Sequence, residues 1–266
     1  MSDPLDRIAA ALERLSPPPP PAADPLTQAA YGWHSGVLAA CNLAAQPLDA
    51  LVGIDRQKTA FVDNLHRLAA GHAAHDVLLW GARGTGKSAL VKAGVAAVQA
   101  EGGDLALVEV GQTEVLPAVF AALGRVERAY AVFVDDLGFD TPGEARTMRS
   151  MLEGGAEARP ANVRLLVTSN RRHLLPRDIA EQDSAINPRD SIDDQLALAD
   201  RFGLSLGFHA LDQDGYLAIV AGYAERRGLS FDPHDALQWA TRRGSRSGRV
   251  AWQYVVEIAG RAGASV

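Results

Sequence analysis

The sequence predicts an α/β chain: a three-layer domain with a parallel five-stranded sheet covered by helices on both faces, followed by a small all-helical lid. Three observations carry that prediction. Short apolar runs alternate with helical patterns from Leu51 onward, as expected for a parallel sheet whose strands are buried on both faces. One of these runs empties into a glycine-rich loop that leads straight into a helix, the arrangement that cradles phosphate. After Leu211 the strand signals stop and only helical patterns follow.

The composition narrows the function classes. With 266 residues, 47% of them hydrophobic, the chain holds one large domain and a small one. No apolar stretch approaches the roughly 20 residues of a membrane span. The segment MSDPLDRIAAALERL lacks the basic start and apolar middle of a secretory signal. No membrane partner is therefore expected, and the cytoplasm is the expected setting. The single cysteine, Cys41, excludes an internal disulfide and a cysteine-built metal site, and no histidine pair has zincin spacing. A formal charge of -6 argues against a protein that coats nucleic acid through its overall field. Yet Arg226, Arg227, Arg242, Arg243, Arg246 and Arg249 crowd one stretch. A solvated helical face with one nucleotide contact accounts for them, and so does a local DNA-binding patch.

Leu5, Ile8, Leu12 and Leu15 recur at helical spacing, and SPPPPPAADP then forces an extended spacer, so residues 1–23 read as an amino-terminal helix and linker. Residues 24–211 form the α/β domain. Its strands are DVLLWG, LALVEVG at Leu105 to Gly111, YAVFVDDL at Tyr130 to Leu137, VRLLVTSN at Val163 to Asn170, and LSLGFHAL at Leu204 to Leu211. The helix after the glycine-rich loop presents Leu90, Val91, Val95 and Val98 on one face, with Gly94 on the same side to allow close packing. The acidic, weakly apolar stretch 177–194 reads as a mobile surface loop. Residues 212–266 form the lid, from helical patterns at Gly215 to Arg227, His234 to Arg243 and Arg249 to Arg261.

The chemistry starts at Gly81, Ala82, Arg83, Gly84, Thr85, Gly86, Lys87 and Ser88, with Ala89 in the helix that follows. A polyphosphate needs many donors packed around it, and glycines at 81, 84 and 86 let the backbone curl so that successive N–H groups point inward. Lys87 would reach the β- and γ-phosphates, and Ser88 would hold a magnesium ion. A nucleoside triphosphate is the expected ligand. YAVFVDDL runs an apolar strand into Asp135 and Asp136 at the sheet edge where ligands bind. Asp135 is placed to hold the magnesium ion through its water shell, and Asp136 to polarise an attacking water. The next strand ends in a polar tip, Thr168, Ser169 and Asn170, of which Asn170 would orient that water or touch the γ-phosphate.

In order and content these segments resemble the AAA+ superfamily of P-loop ATPases. GARGTGKS corresponds to Walker A, VFVDD to Walker B, VTSN to the sensor-1 strand, LADRFG to the segment carrying the arginine finger, and GSRSGR to the opening of the lid. More narrowly, LVGIDRQK, LLWGARGTGKS, LEGG, TSNRRHLLP, DRFGLSLGF and GSRSGRVAWQ look like the bacterial domain-of-unknown-function 815 family of predicted ATPases. The resemblance implies binding of ATP and ADP with Mg2+, and assembly into a homo-oligomer. It makes Asn170 the sensor-1 residue and Arg201 a finger reaching a neighbouring subunit's γ-phosphate. Arg249 becomes sensor 2; Arg246 lies in the same segment, but spacing to the following helix favours Arg249. Gly53 and Ile54 fall where superfamily members pack against adenine.

One departure bears on turnover. Most members follow the magnesium aspartate with glutamate, whereas this chain has Asp136, whose carboxylate sits one methylene further back. Three functions are compatible with the set. The first is an oligomeric, slowly hydrolysing ATPase that remodels or loads a protein or nucleoprotein partner. The second is a nucleotide-gated binding module with little turnover, and the third is a small-molecule P-loop kinase. GQTEVLPAVFAALG lacks the aromatic-apolar-glycine loop with which threading unfoldases grip their clients.

Overall fold

Two hydrophobic clusters, one on each face of a single sheet, organise the larger part of the chain. The computed structural model describes Asp3, Pro4, Arg7, Arg14, residues 21–137, Met148, Met151, Leu152, residues 159–170 and residues 200–265. Its strands are β1 (Ala30–His34), β2 (Val37–Cys41), β3 (Val77–Gly81), β4 (Leu105–Val110), β5 (Ala129–Val134), β6 (Val163–Ser169) and β7 (Leu204–Phe208). They form one seven-stranded sheet in the order β2-β1-β4-β5-β6-β3-β7. Every neighbouring pair is parallel except β1 with β2.

The five parallel strands expected from the sequence are β3 to β7, and the expectation of a five-stranded sheet is corrected to seven by the added β1–β2 hairpin. Its turn is Ser35-Gly36, with φ of 48° and 86°. Two consecutive left-handed residues match the twist of the flanking strands, so the hairpin closes in two residues. Both strands are short and carry Gly32, Ala39 and Ala40, which weakens the alternation that would have marked them.

Helices α1 (Asp55–Ala69) and α2 (Lys87–Ala100) cover one face, where Phe61 and Leu65 join Leu90, Val91, Val95 and Val98 over Leu79, Leu107 and Phe133. Gly94 gives the close approach expected of it: a Cβ there would lie 2.7 Å from the Phe61 ring. Helix α3 (Leu116–Leu123) covers the other face with Met148 and Met151, over Val108, Val132 and Val167. At the amino-terminal edge of the sheet, Asp76 is 2% exposed; it accepts from the Leu165 N–H at 2.8 Å and pairs with Arg159 at 2.6 Å.

Helices α4 (Gln213–Glu225), α5 (Pro233–Arg242) and α6 (Gly248–Arg261) form a separate bundle around Tyr216, Val220, Ala236, Ala251, Tyr254 and Val255. Each is capped by a side chain, Asp212, Asp232 and Ser247, that accepts from a first-turn N–H. No helix among the described residues is long and apolar enough to cross a membrane. The 177–194 loop and most of the helix expected at 4–15 lie outside the described residues.

Candidate functional site

The parallel strands all deliver their carboxyl ends to one edge, so the tips of β3, β5 and β6 converge. Strand β3 ends at Gly81, whose φ is 131° and where a Cβ would lie 1.9 Å from the Phe208 carbonyl oxygen. Only glycine fits there. The Ala82 N–H donates to the same oxygen at 3.1 Å, and the Thr85 hydroxyl donates back to the Ala82 carbonyl at 2.8 Å. Helix α2 begins at Lys87, so the unsatisfied N–H groups and positive dipole end of its first turn belong to the loop.

Lys87 is only 5% exposed. Its Nζ donates to the carbonyls of Gly81 and Ala82 at 2.9 and 2.8 Å and to Asn170 Oδ1 at 2.9 Å. All three ammonium donors are used. Burial pushes the Lys87 pKa below the ordinary lysine range, with Asp136 and Asp135 pulling the other way.

The paired aspartates do different things. Asp135 Oδ1 accepts from Ser88 Oγ at 2.6 Å and from Thr168 Oγ1 at 2.5 Å. Asp136 has a φ of 55°, a left-handed conformation that aspartate tolerates better than most residues, and its N–H donates to Thr168 Oγ1 at 2.8 Å. Its carboxylate accepts from the Asn170 amide and faces Arg83 at 3.7 Å. Thr168 thus pins both aspartates from β6, a role the polar strand tip did not reveal in the sequence.

Among the described residues no group of three or more His, Cys, Asp or Glu is arranged to hold a metal ion. Magnesium in a nucleotide site needs only one or two protein oxygens, with phosphates and waters completing its shell. Ser88 Oγ and the Asp135 carboxylate, already in contact, fit that requirement.

A cavity of about 510 Å³ opens beside these residues and extends to the lid. Its polar lining includes Arg83, Lys87, Ser88, Asp135, Asp136 and Asn170, together with Gly84, Thr85, Gly86 and Ala89. Its apolar lining is Leu51, Val52 and Ile54 from the core and Ile219, Tyr223 and Trp252 from the lid, with Gln46 alongside. Gly53 does not line it; a φ of 80° at that position sits between Val52 and Ile54, which do. Gly81 and Ala82 contribute their carbonyls to Lys87 rather than cavity wall. Tyr223 meets Trp252 edge to face at 5.5 Å, while burial pushes its hydroxyl pKa up.

Sequence reasoning missed Gln46, Ile219, Tyr223 and Trp252. One signal was available, since Trp252 follows Arg249 by three residues on α6 and so shares its face.

Lid and loop touch directly: the Gly248 N–H donates to the Gly84 carbonyl at 2.9 Å. This contact puts Arg249 in the cavity wall, whereas Arg246 is exposed and does not line it. Arg201 lies elsewhere. It precedes β7, whose first residue pairs with Val77 and whose last pairs with Gly81. Four residue steps at roughly 3.3 Å each therefore separate the start of β7 from the loop, and Arg201 does not line its own chain's cavity.

A family model described as "Protein of unknown function (DUF815)" matches residues 27–262. No curated protein matches the sequence. Among solved structures, the chain is similar to the Thermotoga maritima RuvB Holliday junction branch migration motor, with 18% identity and a TM-score of 0.53 over 84% of this chain and 68% of that one. It is also similar to the Aeropyrum pernix Orc1 protein in complex with DNA, with 17% identity and a TM-score of 0.56 over 82% of this chain and 65% of that one. At that identity the likeness establishes the fold.

Proposed function

The chain belongs to the family described as "Protein of unknown function (DUF815)" and has the AAA+ P-loop ATPase fold; from that premise we propose that it binds ATP with Mg2+ and hydrolyses it slowly, as an oligomeric switch that loads or remodels a partner. The observation that carries this reading is the convergence of three strand tips on Lys87 and Ser88: Asn170 on the ammonium, Asp135 on the hydroxyl, and Asp136 on Asn170. The loop and the amino-terminal end of α2 hold the phosphates, with Lys87 neutralising the terminal ones. Ser88 and Asp135 would hold Mg2+, which would supply positive charge to offset the charge developing on the phosphates. Asp136 and Asn170 orient the attacking water, and the base lies against Ile54, Val52, Tyr223 and Trp252. ADP leaves from the same cavity.

Residues 1–23 act as an arm, 24–211 as the nucleotide-binding domain and 212–266 as the lid. Arg249 reports on phosphate from the lid. The distance of Arg201 from its own cavity supports action on a neighbouring copy, where a finger typically contributes roughly 10³- to 10⁵-fold in rate. The partner is a protein or nucleoprotein, and the cytoplasmic setting read from the sequence belongs to the same proposal.

Mixing inactive variants tests it. Lys87→Ala protein keeps a working Arg201, and Arg201→Ala protein keeps a working cavity. Each alone releases no phosphate above background, and the mixture regains a substantial fraction of wild-type turnover. A mixture as inactive as its parts, or Arg201→Ala protein as active as wild type, refutes the finger. Unchanged ATP affinity in Lys87→Ala refutes the site.

One observation favours a second reading, a nucleotide-gated module with little turnover. Asp136 is already engaged by Asn170 and Arg83, on a side chain shorter than glutamate. In that case partner capture depends on ATP but is unchanged in Asp136→Asn protein.

A further inference from the structure

We propose that the outer face of the lid, between α5 and α6, binds single-stranded nucleic acid. A second groove of about 570 Å³ lies there, lined by Trp239, Arg243, Trp252, Val256 and Arg261 among others. Val256 is 38% exposed, one of two large hydrophobic side chains exposed to that degree among the described residues. The Arg243 guanidinium lies 4.7 Å over the Trp239 ring, and that of Arg227 lies 4.3 Å over Trp252. The Trp239 indole N–H is buried without a hydrogen-bond partner.

Charge selects the class of partner. Arg226 to Arg261 holds seven arginines against three carboxylates, in a chain whose formal charge is -6. Two of those carboxylates are occupied: Arg261 pairs with Glu257 at 3.0 Å and with Asp235 at 3.3 Å, and Arg242 faces Asp235 at 3.8 Å. Arg227, Arg243 and Arg246 have no carboxylate partner among the described residues. Among the described residues Arg243 hydrogen-bonds only Gln253, and Arg227 only the Tyr223 carbonyl. The surface therefore calls for an anion. Two indoles with stacked guanidiniums add a platform for flat rings, which an acidic peptide leaves unused and a strand of nucleotides fills. A duplex keeps its bases stacked on one another, so the single strand is the form that fits.

Labelled 20-mer oligodeoxythymidine, titrated with the full chain and without nucleotide, tests this by fluorescence anisotropy. Binding saturates and weakens with salt, with a log–log slope of about -0.7 for each phosphate contacted. Arg243→Ala weakens it several-fold and Arg243→Glu at least about tenfold, while Arg243→Lys, which keeps the charge but not the plane, falls between wild type and alanine. All three stay folded, with at most a few degrees' loss in melting temperature from the lost stacking on Trp239, because Arg243 is exposed. Absence of saturable binding, equal binding by Arg243→Glu, or salt-insensitive binding overturns the proposal. So does competition by polyglutamate equal to that of unlabelled oligonucleotide, which would assign the face to an acidic protein. Because no ATP is present, this result stands or falls independently of the nucleotide site.

Discussion

Replacing Gly84 by alanine attacks the one backbone hydrogen bond between the phosphate loop and the lid. Gly84 has a φ of 74°, and a Cβ there would lie 2.9 Å from both Cβ and Oγ of Ser247. Ser247 has little room to retreat, being 4% exposed and committed to capping α6. The left-handed conformation costs alanine about 1–2 kcal/mol, and the contact adds to it unless the lid swings away. In either case the bond from Gly248 is strained or lost, and Arg249, whose Cβ lies 3.6 Å from the same point, moves with it. Nucleotide affinity should fall about tenfold for each 1.4 kcal/mol.

A double-mutant cycle isolates the contact. Ser247→Gly removes the obstructing atoms, and glycine at an N-cap costs only a few tenths of a kcal/mol. The double variant should therefore bind nucleotide more tightly than Gly84→Ala alone, by a coupling of about 0.5 kcal/mol or more, read by titration calorimetry. Strictly additive effects would show that lid and loop do not meet in this way, and an unimpaired Gly84→Ala would remove the argument altogether.

Three further outcomes follow. Thr168→Val deletes the hydroxyl that joins Asp135 to the Asp136 N–H at a position 1% exposed; it should cost about 1–3 kcal/mol in urea unfolding and depress turnover more than ATP affinity, and unchanged stability would contradict the assigned bonds. Burial raises the Asp76 pKa above its ordinary 3.8 against the pull of Arg159, so folded protein retains a proton that unfolded chain has lost. The corresponding stability is full below 3.8 and lost as pH climbs through the raised value; Asp76→Asn lacks that loss, and a stability difference between the two proteins that stays flat across this window would refute the assignment. Trp252→Ala should weaken ATP binding without altering the catalytic carboxylates, so that KM rises while kcat at saturation stays within about twofold; a selective fall in kcat would place Trp252 in the chemistry instead.

The phosphate loop was legible because its determinants are local: three glycines, a lysine and a serine between a strand and a helix. The aspartate pair and Asn170 were legible as strand tips, since parallel strands deliver their ends to one edge. The hairpin was not, because Ala30–His34 and Val37–Cys41 are too short and too rich in small residues to alternate clearly. Its turn, Ser35-Gly36, was the available signal. The apolar half of the cavity was hidden for another reason. Gln46, Ile219, Tyr223 and Trp252 come from three distant segments, and on an amphipathic helix an aromatic facing a cavity has the same spacing as one facing the core. Spacing already favoured Arg249 over Arg246, and the Ser247 cap of α6 puts Arg249 in the first turn and leaves Arg246 outside it.

These placements fix what a ligand must do to the lid. Among the described residues its polar ties to the core are few: the Gly248–Gly84 hydrogen bond and the exposed Arg226–Asp49 pair at 2.9 Å. Exposed ion pairs contribute little, although Arg226 does hold the Asp49 carboxyl below the usual range, and a single hydrogen bond contributes about 1 kcal/mol. Polar contacts alone therefore hold the lid weakly, with Val52 of the core packed against the lid's apolar cluster. A molecule that fills the cavity touches Lys87 and Asn170 on one side and Arg249, Tyr223 and Trp252 on the other, and so adds contacts across the gap between lid and core. Trp252 also lines the outer groove. If an occupant of that groove moves the Trp252 ring, each site biases the other by the same free energy.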